Sequence, residues 1–160
     1  MAIDISKYFT FLLPIFIWFG IQGIKIILFS LKHGWNLRNT LTHVGYGHMP
    51  SAHTGFVCSM ITAVGYYDGA ETGAFAVAVI LAIMTIDDSV RLRMYIGDQG
   101  IYLNRMAEHM NLTEKEFPKL KERMGHKISE VIVGGLLGVA LTLALAKILE
   151  AYPIGILNIF

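Results

Sequence analysis

The sequence of 160 residues is poor in cysteine and in charge. Cys58 is the single cysteine, so no disulfide can form within the chain. Charged residues make up 16% of the chain, against about 25% in an average soluble domain. A formal net charge of +1 gives no strong field that would attract nucleic acid. Hydrophobic residues, by contrast, reach 54%, and together these values indicate a protein of the lipid bilayer.

Four apolar runs approach the length of about 20 residues that crosses a bilayer. The first run is far longer than the roughly 7–15 residues of a signal-peptide core, so no cleaved signal is predicted. We therefore expect one all-α membrane domain over residues 1–160, a polytopic helical bundle of about four to five membrane helices. The predicted spans are 8–31, 52–67, 70–87 and 128–149.

Residues 88–127 are the polar part of the chain and are predicted to form a loop that carries short helices. Apolar residues between Ile101 and Met110 are typical of an amphipathic helix at the membrane surface. Thr113 and Glu116 fit a capping box for a second short helix, which Gly125 would end.

The topology follows from the basic residues. Eight of the 13 Lys and Arg lie between Arg91 and Lys127, and such loops remain in the cytoplasm. Both termini are then predicted to lie outside. The alternation of spans brings several polar segments to the cytoplasmic face, where ionisable groups usually mark a functional site. These segments are 47–54, 86–93, 125–130 and the neighbourhood of Lys25.

The residue types in these segments fit phosphoryl transfer. His126 and Glu130 are four residues apart and can share a helix face, so the carboxylate can orient the imidazole as a nucleophile. His53 is suited to protonate a leaving group. Ser51 and the first amides of the second span form an anion seat, and Arg93 and Lys25 can clamp phosphate oxygens.

Three stretches of the chain resemble the motifs of a divergent branch of the type-2 phosphatidic acid phosphatase superfamily, which is related to acid phosphatases and vanadium-dependent haloperoxidases. The stretches are MPSAHT (49–54), DSVRLRMYIGDQGIYLN (88–104) and GHKISEVIVGGLLG (125–138), and the similarity extends over roughly residues 22–140. The resemblance implies a metal-independent membrane phosphatase without a cofactor, acting on a lipid phosphomonoester or an isoprenoid diphosphate through a phosphohistidine.

The same resemblance assigns roles to individual residues. It implies that His126 attacks phosphorus, that Glu130 supports it and that His53 protonates the leaving oxygen. The phosphate-binding residues would be Ser51, Ala52, Lys25 and Arg93, with Asp88 and Arg123 in support. Several positions depart from the pattern: Ala52 replaces a glycine, Glu130 replaces the more common aspartate, Met94 stands where the divergent branch tends to have a second arginine, and Leu120 stands where an arginine precedes the nucleophile by six residues. Arg93 is expected to replace that arginine, with Arg123 and Lys121 as alternatives.

Two other functions remain open at this point. A metal or ion transporter could use imidazole and carboxylate ligands, here His43, His48, His53, Asp87, Asp88, His126 and Glu130. A non-catalytic scaffold could retain the fold alone. Membrane lipid and a lipid or prenyl phosphate are the expected partners. The GxxxG pair Gly134 and Gly138 predicts close helix packing, either inside the bundle or in a homo-oligomer.

Overall fold

The computed structural model describes residues 3–4, 8–34, 49–113, 115–122, 124–151 and 156–157. These residues form five α-helices: α1 Phe9–His33, α2 Ala52–Tyr67, α3 Gly73–Asp87, α4 Arg93–His109 and α5 Ile128–Ala151. A π-helical turn, Asp88–Leu92, joins α3 to α4. Two-residue strands near the chain ends, β1 Ile3–Asp4 and β2 Ile156–Leu157, pair antiparallel. The predicted all-α membrane bundle is confirmed.

Three continuous helical stretches are long and apolar enough to cross a membrane: Phe9–Lys32, Gly73–His109 and Ile128–Ala151. The outward faces of these helices carry exposed apolar side chains, including Phe16, Val77 and Leu136. Exposed side chains of this size are unfavourable in water and favourable against lipid tails. The chain is therefore an integral membrane protein.

The shorter helix α2 lies at the centre of the bundle and packs against α1, α3 and α5. Its 16 residues span about 24 Å, less than the roughly 30 Å of a bilayer core. Most of its buried residues are small, which lets the neighbouring helices approach closely. They are Ala52, Thr54, Gly55, Val57, Ser59, Ala63 and Val64.

Gly134 and Gly138 bring α5 into contact with the backbone of α2. A Cβ atom at Gly134 would overlap the Ser51 carbonyl oxygen, and one at Gly138 would overlap that of Gly55. Both glycines are buried. The Gly134/Gly138 face is therefore used inside the bundle, and nothing in the described residues supports the prediction that it mediates a homo-oligomer. Its other interpretation, packing within the bundle, is the one observed.

Hydrogen bonds at one end of the bundle show how the helices are arranged. At one end Thr10 donates to Asp68 at 3.4 Å and Tyr66 donates to Glu150 at 2.9 Å. These contacts place the start of α1 beside the ends of α2 and α5. The opposite end therefore holds the starts of α2 and α5 together with the end of α3.

The segment between α3 and α5 differs from the predicted loop. A single helical rod runs from Gly73 to His109, so α4 is a direct continuation of the third span. The short helix predicted after Thr113 is absent from the described residues 113 and 115–122, which form turns, bends and irregular chain. Pro118 disfavours the helical conformation at Phe117. The amide of Leu120 donates instead to the Asn104 side chain at 2.9 Å.

Candidate functional site

The candidate site lies where the starts of α2 and α5 meet the π turn. The backbone amide of Ser51 donates to the Glu130 carbonyl oxygen at 3.0 Å. The amide of His126 donates to the carbonyl oxygen of Ser89, in the π turn, at 3.1 Å. Two main-chain hydrogen bonds thus join three segments that are far apart in the sequence.

His126 and Glu130 form a buried pair at the start of α5. The His126 Nδ1 and the Glu130 Oε2 are 2.9 Å apart, and the residues are only 5% and 4% exposed. The same Oε2 accepts a hydrogen bond from the Lys127 amide at 3.2 Å. Lys127 directly precedes the helix, so Glu130 caps α5 as the acidic partner of a capping box does. Its negative charge is also favourable in the first helical turn.

The contact with Glu130 determines which nitrogen of His126 carries the proton. A carboxylate only accepts hydrogen bonds, so Nδ1 carries the proton. In the neutral ring Nε2 then carries the lone pair. Burial lowers the pKa of His126 from its ordinary value, as do the nearby Lys25 and Arg93 charges, while Glu130 raises it in part. The net shift of the pKa is downward, which favours the neutral ring near pH 7.

The start of α2 is shaped by Ser51. The Ser51 Oγ accepts a hydrogen bond from the Thr54 amide at 3.4 Å and lies 3.0 Å from Thr54 Oγ1. The residue is completely buried against Gly134. Its hydroxyl and amide are thus used to cap the helix and to join it to α5. Within the predicted anion seat, the amides of Ala52 and His53 have no acceptor inside the helix, because they belong to its first turn.

Lys25 and Arg93 bring positive charge to the site from two directions. Lys25 is 4% exposed and lies inside the bundle, close enough to Glu130 for the two charges to interact. Arg93 Nε donates to Asp88 Oδ2 at 2.7 Å, and both side chains are about one-third exposed. Asp87 Oδ2 instead forms an ion pair with the Arg91 guanidinium at 2.8 Å, and both of these side chains are exposed.

His53 completes the cluster. Its side chain is exposed, although the residues on either side of it are buried. Arg93, His126, Lys25 and Asp88 all lie near enough to act electrostatically on its ring. A second imidazole is therefore present beside the buried pair, on the open side of the site.

Comparison with known proteins agrees with this architecture. The model of the "Divergent PAP2 family" matches residues 7–141. The chain belongs to the divergent PAP2 family. The "Uncharacterized membrane protein YuiD" of Bacillus subtilis (strain 168) is 34% identical over 140 residues, which cover 78% of this chain and 85% of the relative. No solved structure matches the chain.

Most of the site residues predicted for this divergent PAP2 protein converge. The residues brought together are His126, Glu130, His53, Lys25, Arg93, Asp88, Ser51 and Ala52. The predicted supporting residue Arg123 lies outside the described residues, as do His43 and His48. Lys121, an alternative for the missing arginine, is exposed in the segment that follows Pro118. Arg93, like Lys25, acts electrostatically on both imidazoles.

A metal centre receives no support from the described part of the chain. Within the residues described, no three His, Cys, Asp or Glu side chains are arranged to hold a metal ion. The transporter hypothesis therefore lacks a ligand cluster in this part of the divergent PAP2 protein.

Three residues on one face of α4 were not assigned a role from the sequence. Asn104 donates to the Leu120 carbonyl oxygen and to Glu122 Oε1, both at 2.9 Å. Gly97 and Gly100 are buried with it, and a Cβ atom at either would lie within 2.7 Å of a backbone oxygen of Glu122 or Lys121. This face holds the chain that leads into His126. The i, i+3, i+7 spacing of Gly97, Gly100 and Asn104 is the sequence feature that could have predicted a shared packing face on this helix.

Proposed function

We propose that this protein hydrolyses a phosphomonoester or diphosphate of a membrane lipid through a phosphohistidine at His126. The observation that carries the proposal is the buried His126–Glu130 pair, with a second imidazole and two basic side chains around it. A buried carboxylate behind an imidazole orients it and stabilises its positive charge when it reacts. Cationic side chains stabilise the charge that develops on transferring phosphoryl oxygens.

The reaction needs two displacements at phosphorus. In the first, His126 Nε2 forms a P–N bond, the P–O bond to the lipid breaks, and His53 gives its proton to the leaving oxygen. In the second, His53 takes a proton from water, the water oxygen bonds to phosphorus, and the P–N bond breaks. Inorganic phosphate leaves and both imidazoles return to their starting forms. Arg93 and Lys25 hold the phosphoryl oxygens throughout.

A lipid substrate is supported by the position of the site. It lies at the end of a membrane bundle whose outer helices expose apolar side chains to the bilayer. A substrate with acyl or prenyl chains can remain in the membrane while its headgroup reaches His53. The eight basic residues between Arg91 and Lys127 support a cytoplasmic location for this end, with both termini outside.

The test is a panel of lipid substrates assayed with the purified protein. Phosphatidic acid and prenyl mono- and diphosphates are presented in mixed micelles, and released phosphate is measured with and without EDTA. We expect release from at least one of them, retained in EDTA and inhibited competitively by vanadate, which imitates five-coordinate phosphorus. Activity that EDTA removes and a divalent metal restores would overturn the metal-independent mechanism, and no release from any substrate would favour the scaffold.

The pH dependence of kcat/KM is expected to show the titration of His126. Only the neutral imidazole can attack phosphorus, so activity is lost as the pH falls through the pKa of His126. Burial lowers that pKa below the ordinary value of 6.5, and the acid limb should therefore lie below pH 6.5. Replacing Glu130 by Gln removes the interaction that raises the pKa, so the limb should move further down while the rate falls.

The matched control for this measurement is Asp87→Asn, because Asp87 is a carboxylate in an exposed pair with Arg91. Its pH profile should coincide with that of the wild type. An acid limb that Glu130→Gln leaves unmoved would mean that another group is being titrated.

Replacement of Asn104 by alanine is expected to lower kcat by roughly tenfold to a hundredfold, the effect of a misplacement of about 1 Å at a reacting centre. The change removes three hydrogen bonds to Leu120 and Glu122 and so releases the chain that enters His126. Phosphate release at saturating substrate measures the effect, with exposed Gln99→Ala on the same helix as control. Unchanged kcat in Asn104→Ala would show that the segment does not position His126.

A further inference from the structure

Helix α4 presents three different faces around its circumference. One face, Gly97, Gly100 and Asn104, is buried against the segment that leads to α5. A second carries exposed charged residues, Asp98, Arg105 and Glu108. The third is apolar and exposed over 43–69% of each residue. We call this third group the α4 apolar face: Tyr95, Ile96, Tyr102, Leu103, Met106 and Met110.

Helix geometry places the α4 apolar face on one side of the helix, with the exposed polar Gln99 at its centre. At 100° per residue these six side chains fall within an arc of about 120°. Asp98 and Arg105 point away from the centre of that arc. Such a separation of apolar and charged residues is typical of a helix that lies in a membrane interface.

The α4 apolar face continues the lipid-facing surface of α3. Val77, Ile80, Ile83 and Met84 of α3 are exposed, each by about 60% or more. The π turn adds one residue to the helical repeat, which rotates α4 by about 100° relative to an uninterrupted helix. With that offset, the exposed residues of α3 occupy the same arc as the α4 apolar face. The π turn therefore aligns the two surfaces.

The helical stretch formed by α3, the π turn and α4 is long enough to extend from the hydrocarbon core into the headgroup region. The 37 residues from Gly73 to His109 extend for about 55 Å, whereas the core of a bilayer is about 30 Å thick. The segment after α4 adds exposed lysines at 115, 119 and 121, where anionic headgroups would lie. A cleft of about 380 Å³ between α4 and this segment is lined mainly by apolar residues, among them Met106, Met110 and Phe117.

We propose that the α4 apolar face is a membrane-binding surface, which rests on the lipid interface and is held there by anionic phospholipids. The headgroup region covers its apolar side chains where they leave the hydrocarbon core, the cleft beside Phe117 accepts part of an acyl chain, and the three lysines contact the headgroups. The alignment with the lipid-facing side of α3 is the observation that favours lipid over a protein partner.

Spin-label accessibility tests this proposal without reference to catalysis. Single cysteines are introduced at Leu103 and Met106 on the apolar face, and at Asp98 and Arg105 as matched controls, in a Cys58→Ala background. The labelled proteins are placed in nanodiscs of phosphatidylcholine, with or without phosphatidylglycerol. Collision rates are then measured with oxygen, which partitions into lipid, and with a water-soluble nickel chelate.

We expect the labels at 103 and 106 to meet oxygen several-fold more often than the chelate, and the labels at 98 and 105 to show the reverse. The difference should increase with phosphatidylglycerol, and Lys115→Gln with Lys119→Gln and Lys121→Gln should remove that increase. Equal chelate access at 105 and 106 would overturn the proposal because the face would then lie in water. Low access to both reagents at 106 would also overturn it, since protein would then cover the face.

Discussion

Replacement of His126 by alanine is expected to lower phosphate release by at least about a thousandfold, because under the proposed mechanism the variant lacks the atom that forms the covalent intermediate. The site that remains can still bind the phosphate group through Arg93 and Lys25, so the loss should be in kcat far more than in KM. Protein labelled with a substrate carrying radioactive phosphorus should give a trapped, acid-labile adduct in the wild type and none in the variant.

A folding defect must be separated from a chemical one. Removing the imidazole leaves the Glu130 carboxylate buried with one fewer hydrogen bond, and such a loss is destabilising. His126→Gln avoids this problem because its amide can still donate to Glu130 but cannot form a stable phosphoryl adduct. It should be as inactive as the alanine variant, with a thermal transition close to that of the wild type.

The matched control is His109→Ala, since His109 is an exposed histidine at the end of α4. That variant should retain full activity. Turnover in His126→Ala or His126→Gln that equals the wild type would exclude His126 as the nucleophile, and would leave the buried pair as a purely structural feature.

The parts of the site that depend on local geometry were predictable from the sequence. An i, i+4 pair on a helix is brought together by the helix itself, and His126 and Glu130 indeed lie 2.9 Å apart. Alternation of the spans also predicted that the segments around Ser51, Asp88 and His126 would meet at one end. Two backbone hydrogen bonds between these segments now show that arrangement.

The path of the chain between α3 and α5 was not predictable, because its partners are distant in sequence and carry no periodic signal. Asn104 bonds to Leu120 across 16 residues, and nothing in either residue's neighbourhood specifies the other. The π turn could not be predicted either, because one added residue in a helical repeat does not change the composition of the segment.

Ser51 shows a further limit of prediction from the sequence. Its residue type suits an anion-binding site, but its hydroxyl is hydrogen-bonded to Thr54. The residue is also buried against Gly134, a contact between distant parts of the chain.

Replacement of Gly138 by alanine is expected to destabilise the bundle by about 3 kcal/mol, the upper part of the usual range for overpacking a core. The added methyl group would overlap the Gly55 carbonyl oxygen and lie 2.9–3.0 Å from two other backbone atoms of that residue. Backbone cannot rotate away as a side chain does, so α2 and α5 must separate along their length. Thermal unfolding in detergent, followed by circular dichroism, measures the loss.

Two other glycines, one on α5 and one on α1, offer controls with the same chemical change. Gly135→Ala on the same helix would bring its methyl group to 3.2 Å from Cys58 Sγ, a side-chain atom that can shift, and Gly20→Ala on α1 meets nothing within 4 Å. Both should unfold close to the wild type, because alanine also favours the helix by about 1 kcal/mol over glycine. Equal stability of the Gly138 and Gly135 variants would contradict the packing described here.

Gly134→Ala links the packing to the chemistry. Its methyl group would overlap the Ser51 carbonyl oxygen and push the start of α2 away from α5. That shift stretches the hydrogen bond from the Ser51 amide to Glu130 and moves His53 away from His126. Activity should therefore fall more steeply than stability in this variant, whereas Gly138→Ala, one turn further from the site, should lose stability first. The ratio of the two losses measures how closely α2 must approach α5 for the two imidazoles to face one phosphate.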